Sequence, residues 1–296
     1  MIRATLTLAA FLTLGLTCRA DDLLVLKDFA KRHHASVSKF GIDMYALVFT
    51  DKATDDDLAA LEKDAPKIFS ALELGNAALV TDAGFLQLKS MACVSNLDLP
   101  QQVTNKGVAD LKKRFPSATQ IRYLAADKKG TLDNDGVKTI LGVESLRDLS
   151  LSHGRFDDGI WESLGKCPKL RSLAVRSGAI TGKGIEALQG CPELTSVYLF
   201  DCPLAAGAGK SLAKLPALWS LSLNGCTVSD DEMAALVEVK TLNWLTLSDT
   251  AVGDAGLLKL APSKSLRNVR TGLTTKVTKE GVEKLKKLNP KIEVHN

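Results

Sequence analysis

Residues 167–175 read CPKLRSLAV and residues 191–199 read CPELTSVYL, the same Cys-Pro start and apolar spacing 24 residues apart. A Cys-Pro pair recurring at a fixed interval begins a metal or redox site, or it is one tooth of a structural repeat. Sliding the chain along itself decides between them. The pattern apolar-x-x-apolar-x-apolar returns along almost the whole length. Its central residue falls at Tyr45, Leu72, Leu97, Leu124, Leu149, Leu173, Val197, Leu221, Leu245, Val269 and Ile292. Between Leu149 and Val269 there are five consecutive intervals of 24 residues, which chance does not produce. The pair is a repeat tooth.

A second block follows each of these short apolar segments, as in VTDAGFLQL, VTNKGVADL, ITGKGIEAL, VSDDEMAAL, VGDAGLLKL and VTKEGVEKL. An apolar residue turns the chain back to the core, and Thr81, Thr104, Thr181, Ser229 or Thr278 then stands where a helix N-cap belongs. Ser229 with Glu232 spells a capping box, and Thr54 with Asp57 approximates one. Leucines such as Leu257 and Leu260 follow at helical spacing. Each unit is therefore expected to be a strand and a helix joined by tight turns. A unit this small cannot bury its apolar face alone, so neighbours stack. The expected fold is α/β: a solenoid of about ten repeats of 23–27 residues, with a curved parallel sheet on its concave face and helices on its convex face.

The chain has 296 residues, of which 45% are hydrophobic and only 5% aromatic, so leucine carries the core. The first 20 residues stand apart: Arg3, an apolar run from Ala4 to Leu16, then small residues up to Ala20. That run is too short to cross a bilayer and reads as a signal peptide cleaved after Ala20. The expected layout is a signal peptide at 1–20, a capping helix at 21–41 (DDLLVLKDFAKRHHASVSKF) and a repeat domain at 42–296, in an exported protein, whether periplasmic, cell-surface or secreted. Losing Arg3 and Arg19 leaves 36 basic against 34 acidic residues, which argues against a nucleic-acid binder. The basic excess gathers between Lys259 and Asn296, with ten Lys/Arg and three Glu.

The residues of CPKLRSLAV…ITGKGIEAL, CPELTSVYLFDC and LWSLSLNGCTVSDDEMAAL resemble the leucine-rich repeat family in its cysteine-containing type, known from F-box proteins and found widely in bacterial proteins. The likeness spans about residues 42–294, without an F-box segment before it. It implies a scaffold that presents a binding surface and says nothing of what is bound.

Cys167 and Cys191 share one repeat position, and Cys202 and Cys226 another. Cysteine in such a column behaves as a small buried apolar residue. Stacked strands also bring equivalent Cα atoms inside the disulfide window, so bridges Cys167–Cys191 or Cys202–Cys226 stay open as alternatives. His33, His34, His153 and His295 show no metal-ligand spacing beyond the adjacent pair, which reads as the polar face of the capping helix. The acidic runs TDDDL, FDDGI and SDDEM sit at helix N-termini, where the helix dipole favours Asp, and lack a calcium-loop pattern. AAGAGKSL lacks the first glycine of a phosphate loop and belongs to a repeat that has lost its cap. No catalytic motif, metal or cofactor is expected, and the protein is read as non-catalytic.

Residues between the core positions of each strand point away from the core, onto the open sheet face. There the expected partner-binding residues are Arg122, Arg147, Arg171 and Arg176, with Tyr198, Phe200, Trp219 and Trp244 beside them. In this register Arg122, Arg147 and Arg171 stack in consecutive units, either paired with Asp148 or awaiting an anionic partner. Exposed aromatics with arginine are typical of binding hot spots. A protein partner is expected, with a glycan or anionic cell-surface polymer, or a structural envelope role, as the alternatives.

Overall fold

The structure, a computed structural model, describes residues 20–125, 130–272 and 276–295. The expected signal peptide lies outside the described residues except for Ala20. Twelve strands form one sheet in strictly sequential order. They are β1 (Ala35–Gly41), β2 (Met44–Phe49), β3 (Ala71–Glu73), β4 (Asn96–Asp98), β5 (Gln120–Leu124) and β6 (Asp148–Ser152). They continue with β7 (Ser172–Arg176), β8 (Ser196–Phe200), β9 (Ser220–Ser222), β10 (Trp244–Thr246), β11 (Asn268–Arg270) and β12 (Glu293–His295). From β2 onward every pair is parallel, and one short helix, such as Asp254–Lys259, follows most strands and packs on the next. The chain folds as a leucine-rich repeat solenoid of α/β class.

The strand register differs from the expected one at three places. The central apolar column runs Leu47, Leu72, Leu97, Ile121, Leu149, Leu173, Val197, Leu221, Leu245, Val269, Val294. Tyr45, Leu124 and Ile292 are therefore off the column. At β5 the reason is Tyr123, whose ring is fully buried and whose hydroxyl accepts from Thr131 N at 2.9 Å. With Tyr123 inside, alternation turns Leu124 outward, where it is 44% exposed. The column interval from Ile121 to Leu149 is accordingly 28 residues, and the five intervals of 24 that follow stand.

The N-terminal cap also differs. The helix ends at Arg32, and the chain returns as β1, which pairs antiparallel with β2 and closes that edge of the sheet. His33 and His34 are not a solvated face: their Nδ1 atoms lie 3.2 and 3.1 Å from the Asp57 carboxylate, tying the cap to the first repeat helix. That carboxylate also accepts from Thr54 N at 2.8 Å. Burial would raise the Asp57 carboxyl, but the bonds from Thr54, His34 and His33 outweigh it and hold the group below its ordinary range. A depressed carboxylate contributes stability above its unfolded pKa and loses it as pH falls through the folded value. Asp57→Asn is thus expected to shrink the drop in unfolding midpoint between pH 6 and pH 3. An unchanged drop, followed by circular dichroism, counts against the contact.

The turns between units carry a ladder of hydrogen bonds. Asp55, at the start of one helix, accepts from Thr81 N at 2.8 Å and Thr81 Oγ1 at 2.6 Å in the next unit. Asp82 does the same to Thr104, Asp158 to Thr181 and Asp254 to Thr278. Asp230 accepts from Gly253 N at 2.8 Å. Thr81 and Thr278 in turn cap their own helices by accepting from Ala83 N and Gly281 N. The acidic runs therefore cap the following repeat, and TDDDL also caps its own helix through Asp57 and Thr54. One rung points backwards. Ser229 makes no side-chain cap bond, so the expected capping box with Glu232 is absent. Glu232 instead reaches back to Gly207 N and Gly209 N, both at 2.7 Å, and supplies the cap that AAGAGKSL lacks in its own sequence.

The core is one continuous column of buried leucine, isoleucine, valine and phenylalanine, with Trp161 1% exposed within it. Each fully buried apolar side chain contributes on the order of 1.5–3 kcal/mol. Among the described residues the cysteines are free thiols, with Cys191, Cys202 and Cys226 buried. Burial pushes the Cys93 and Cys191 thiols up to about 11.

Candidate functional site

The open sheet face places the expected site residues in different columns. Arg147 and Arg171 are neighbours at the leading edge, joined by Arg171 N to Arg147 O at 2.7 Å. Arg122 pairs in register with Asp98 on one side and Ser150 on the other, so the expected three-arginine stack does not form. The one-position error at β5 moved it. Asp148 makes no ion pair with the arginines among the described residues, although its carboxyl feels the charges of Arg171 and Arg147. Arg122 donates through Nε and Nη2 to both Asp98 carboxylate oxygens at 2.5 Å. Arg171 binds Glu193 at 2.8 Å, and Arg176 binds Asp201 at 2.8 Å while lying 5.0 Å from the Phe200 ring centroid. Arg147 donates to the Leu146 carbonyl at 3.2 Å.

Three of the four expected arginines are thus neutralised by acids, and an anionic partner is not needed to relieve them. Burial pushes the Asp148 carboxyl up, against the pull of Arg171 and Arg147. Asp98 is pushed up by burial against Arg122's two bonds, while Arg122, which burial would lower, is held above its ordinary value by Asp98.

The aromatic group does assemble. Tyr198 and Phe200 stand half-buried on β8, Trp244 half-buried on β10, and Trp219, between them, is 50% exposed. Trp244 donates from Nε1 to Thr246 Oγ1 at 3.1 Å, and its ring stacks on His295 at 6.0 Å with planes 6° apart. Two residues outside the expected partner-binding set join them. His295 is one. Arg270, exposed on β11 in the column of Tyr198 and Thr246, is the other, and its side chain meets no acid or carbonyl among the described residues. Under this group the Ser222 Oγ and Asn224 Oδ1 atoms are buried without hydrogen-bond partners among the described residues. Each such group costs about 1–3 kcal/mol.

Tandem strand–helix units with an open sheet face carrying exposed aromatics define a repeat scaffold that presents a surface. Its fold is that of a leucine-rich repeat solenoid. A family model described as Leucine Rich repeat matches residues 166–188, the turn through β7 into the next helix. Among solved structures, internalin C2 of Listeria monocytogenes matches with a TM-score of 0.50 at 18% identity, over 75% of this chain and 91% of that one. At that identity the likeness is one of fold. A further internalin of the same organism matches with a TM-score of 0.49 at 14% identity, covering 85% of this chain and 86% of its own. No curated protein sequence matches the chain. Among the described residues no helix is long and apolar enough to cross a membrane.

Proposed function

We propose that the chain is an exported, non-catalytic recognition protein that binds a protein partner on the open sheet face. Leucine-rich repeat scaffolds serve widely as interaction modules, and export rests on the apolar segment of residues 4–16. The cysteine columns at 167/191 and 202/226 support the cysteine-containing type of repeat. The observation that carries the reading is Trp219, 50% exposed where Trp161 is fully packed. It sits between Tyr198 and Trp244, with Arg270, which meets no acid among the described residues, on the same sheet face. Rigid aromatics with arginine supply contact area at low entropic cost, and truncating such anchors typically weakens binding by about 2 kcal/mol or more. Arg176 and Phe200 flank this patch and Arg147 and Arg171 lie further along the face, while Arg122 stands with Asp98 toward its far end. The flat Trp244–His295 stack favours a second reading, a sugar ring seated on that platform.

The test is capture of a partner from native envelope and secreted extract by wild type and by Trp219→Ala/Trp244→Ala. Loss of the partner by the folded variant, roughly 30-fold or more in affinity, supports the reading. Retention by both overturns it. Protease treatment of the captured material separates protein from glycan.

A further inference from the structure

At the other end of the same face lies a hollow of about 250 Å³, lined by Val48, Glu73, Gly75, Asp98, Arg122 and Leu124. Glu73, Asp98 and Arg122 stand in one outward column on β3, β4 and β5. Arg122 is committed to Asp98 through both of its bonds. Glu73 has no ion pair or hydrogen bond among the described residues, and the hollow carries one uncompensated negative charge. Burial, and then the charge of Asp98, push the Glu73 carboxyl up, with Arg122 opposing. Gly75 leaves the floor open: a Cβ there would come no nearer than 4.0 Å to another atom, that of Asp98. Val48 and the outward Leu124 supply apolar walls.

We propose that this hollow receives one basic side chain, a lysine or arginine, of a polypeptide partner laid across the sheet. The inference rests on the sheet face being the contact surface and adds the partner's chemistry. A basic side chain has the two parts that the hollow matches: a methylene stem for Val48 and Leu124, and a cation for Glu73. The opposite end of the face, at Arg270 and Trp219, carries the opposite charge. Glu73 on β3 and Arg270 on β11 are eight strand steps apart, about 38 Å along the sheet at about 4.8 Å per step. One ligand meeting both is a polypeptide, with a basic residue at one end of its footprint and an acidic one at the other.

The test titrates the isotope-labelled protein with acetyl-Ala-Lys-Ala-amide and follows backbone amide shifts. Saturable shifts at Val48, Glu73, Asp98 and Arg122, weakened at least tenfold in Glu73→Gln and absent with the norleucine peptide, support the proposal. Glu73→Gln removes a carboxylate whose pKa is already pushed up by burial and Asp98, so its unfolding midpoint is expected to hold or rise, which is checked alongside. An absence of saturable shifts, equal binding by Glu73→Gln, or equal binding of the norleucine peptide overturns it. Butylamine binding as tightly as the peptide assigns the hollow to a free amine and overturns the polypeptide partner. The titration needs no captured partner and is repeated on Trp219→Ala/Trp244→Ala. Failure at the aromatic patch and failure at the hollow are thereby told apart.

Discussion

Arg114→Ala is expected to lower the unfolding free energy by about 3–5 kcal/mol, one of the two largest single-residue effects in the chain. Arg114 is 5% exposed, yet no acid among the described residues binds it. Its guanidinium donates to three carbonyls, Phe85 O at 2.7 Å, Gly107 O at 2.5 Å and Ala109 O at 3.3 Å. It lies 4.6 Å from the Phe85 ring centroid and 5.7 Å from that of Phe115. Burial lowers its pKa to about 10, which keeps it charged at neutral pH. Alanine leaves a cavity, strips the Gly107 and Ala109 carbonyls of their guanidinium donors and leaves Phe85 O with Leu88 N alone at 3.3 Å. Arg114→Lys keeps the charge and loses the planar fork, so an intermediate loss is expected. Urea unfolding of the three proteins decides. Equal midpoints for wild type and Arg114→Ala exclude the guanidinium as a clamp between units.

Gly84→Ala is the second, expected to cost about 2–4 kcal/mol from overpacking plus a weakened inter-unit bond. Gly84 of TDAG, Gly107 of TNKG, Gly256 of DAG and Gly281 of KEG each face the ladder aspartate of the unit before. At Gly84 an added Cβ would lie 2.7 Å from Asp55 Cα, so the backbone itself has to move and the Asp55–Thr81 bonds with it. Gly256 is closed in the same way by Asp230, whose Cα would lie 2.9 Å away, whereas at Gly107 and Gly281 the close atoms belong to side chains, those of Asp82 with Val103 and of Asp254. Gly178, where an added Cβ would meet nothing within 4 Å, is the control. Gly178→Ala is expected to stay within about 0.5 kcal/mol of wild type. Equal effects of the two substitutions, measured by thermal and urea unfolding, count against the cradle.

The repeat, the strand–helix unit and most of the core are legible because a solenoid writes its contacts into sequence at fixed distance. Leu149 to Val269 are in register in both readings. The reading fails where a polar-tipped side chain goes inside. Tyr123 satisfies its hydroxyl through Thr131 N, a partner eight residues away that no strand pattern announces. That single inversion displaced Arg122 from its true column and hid Glu73 and Asp98 beside it. Aligning Leu97 with Ile121 instead of Leu124 would have put the acids and Arg122 in one row. The partners of Arg171 and Arg176 were missed because Glu193 and Asp201 lie outside the strand core, in the turns. Glu232 was assigned to Ser229 by spacing alone. Its carboxylate goes instead to two glycine amides that no side chain of their own unit serves.

The ladder also gives the chain a direction of completion. Each of its aspartates precedes the threonine or glycine it serves, so on a ribosome the acceptor is already in place when the next turn emerges. Units can be finished one by one behind the exit tunnel. Gly207 and Gly209 break that order, because their acceptor, Glu232, is synthesised 25 and 23 residues later. At about 5–20 residues per second, that turn waits about 1–5 s with its amides open to water. The helix Ala208–Leu212 is thus capped only once the unit that follows it has been made.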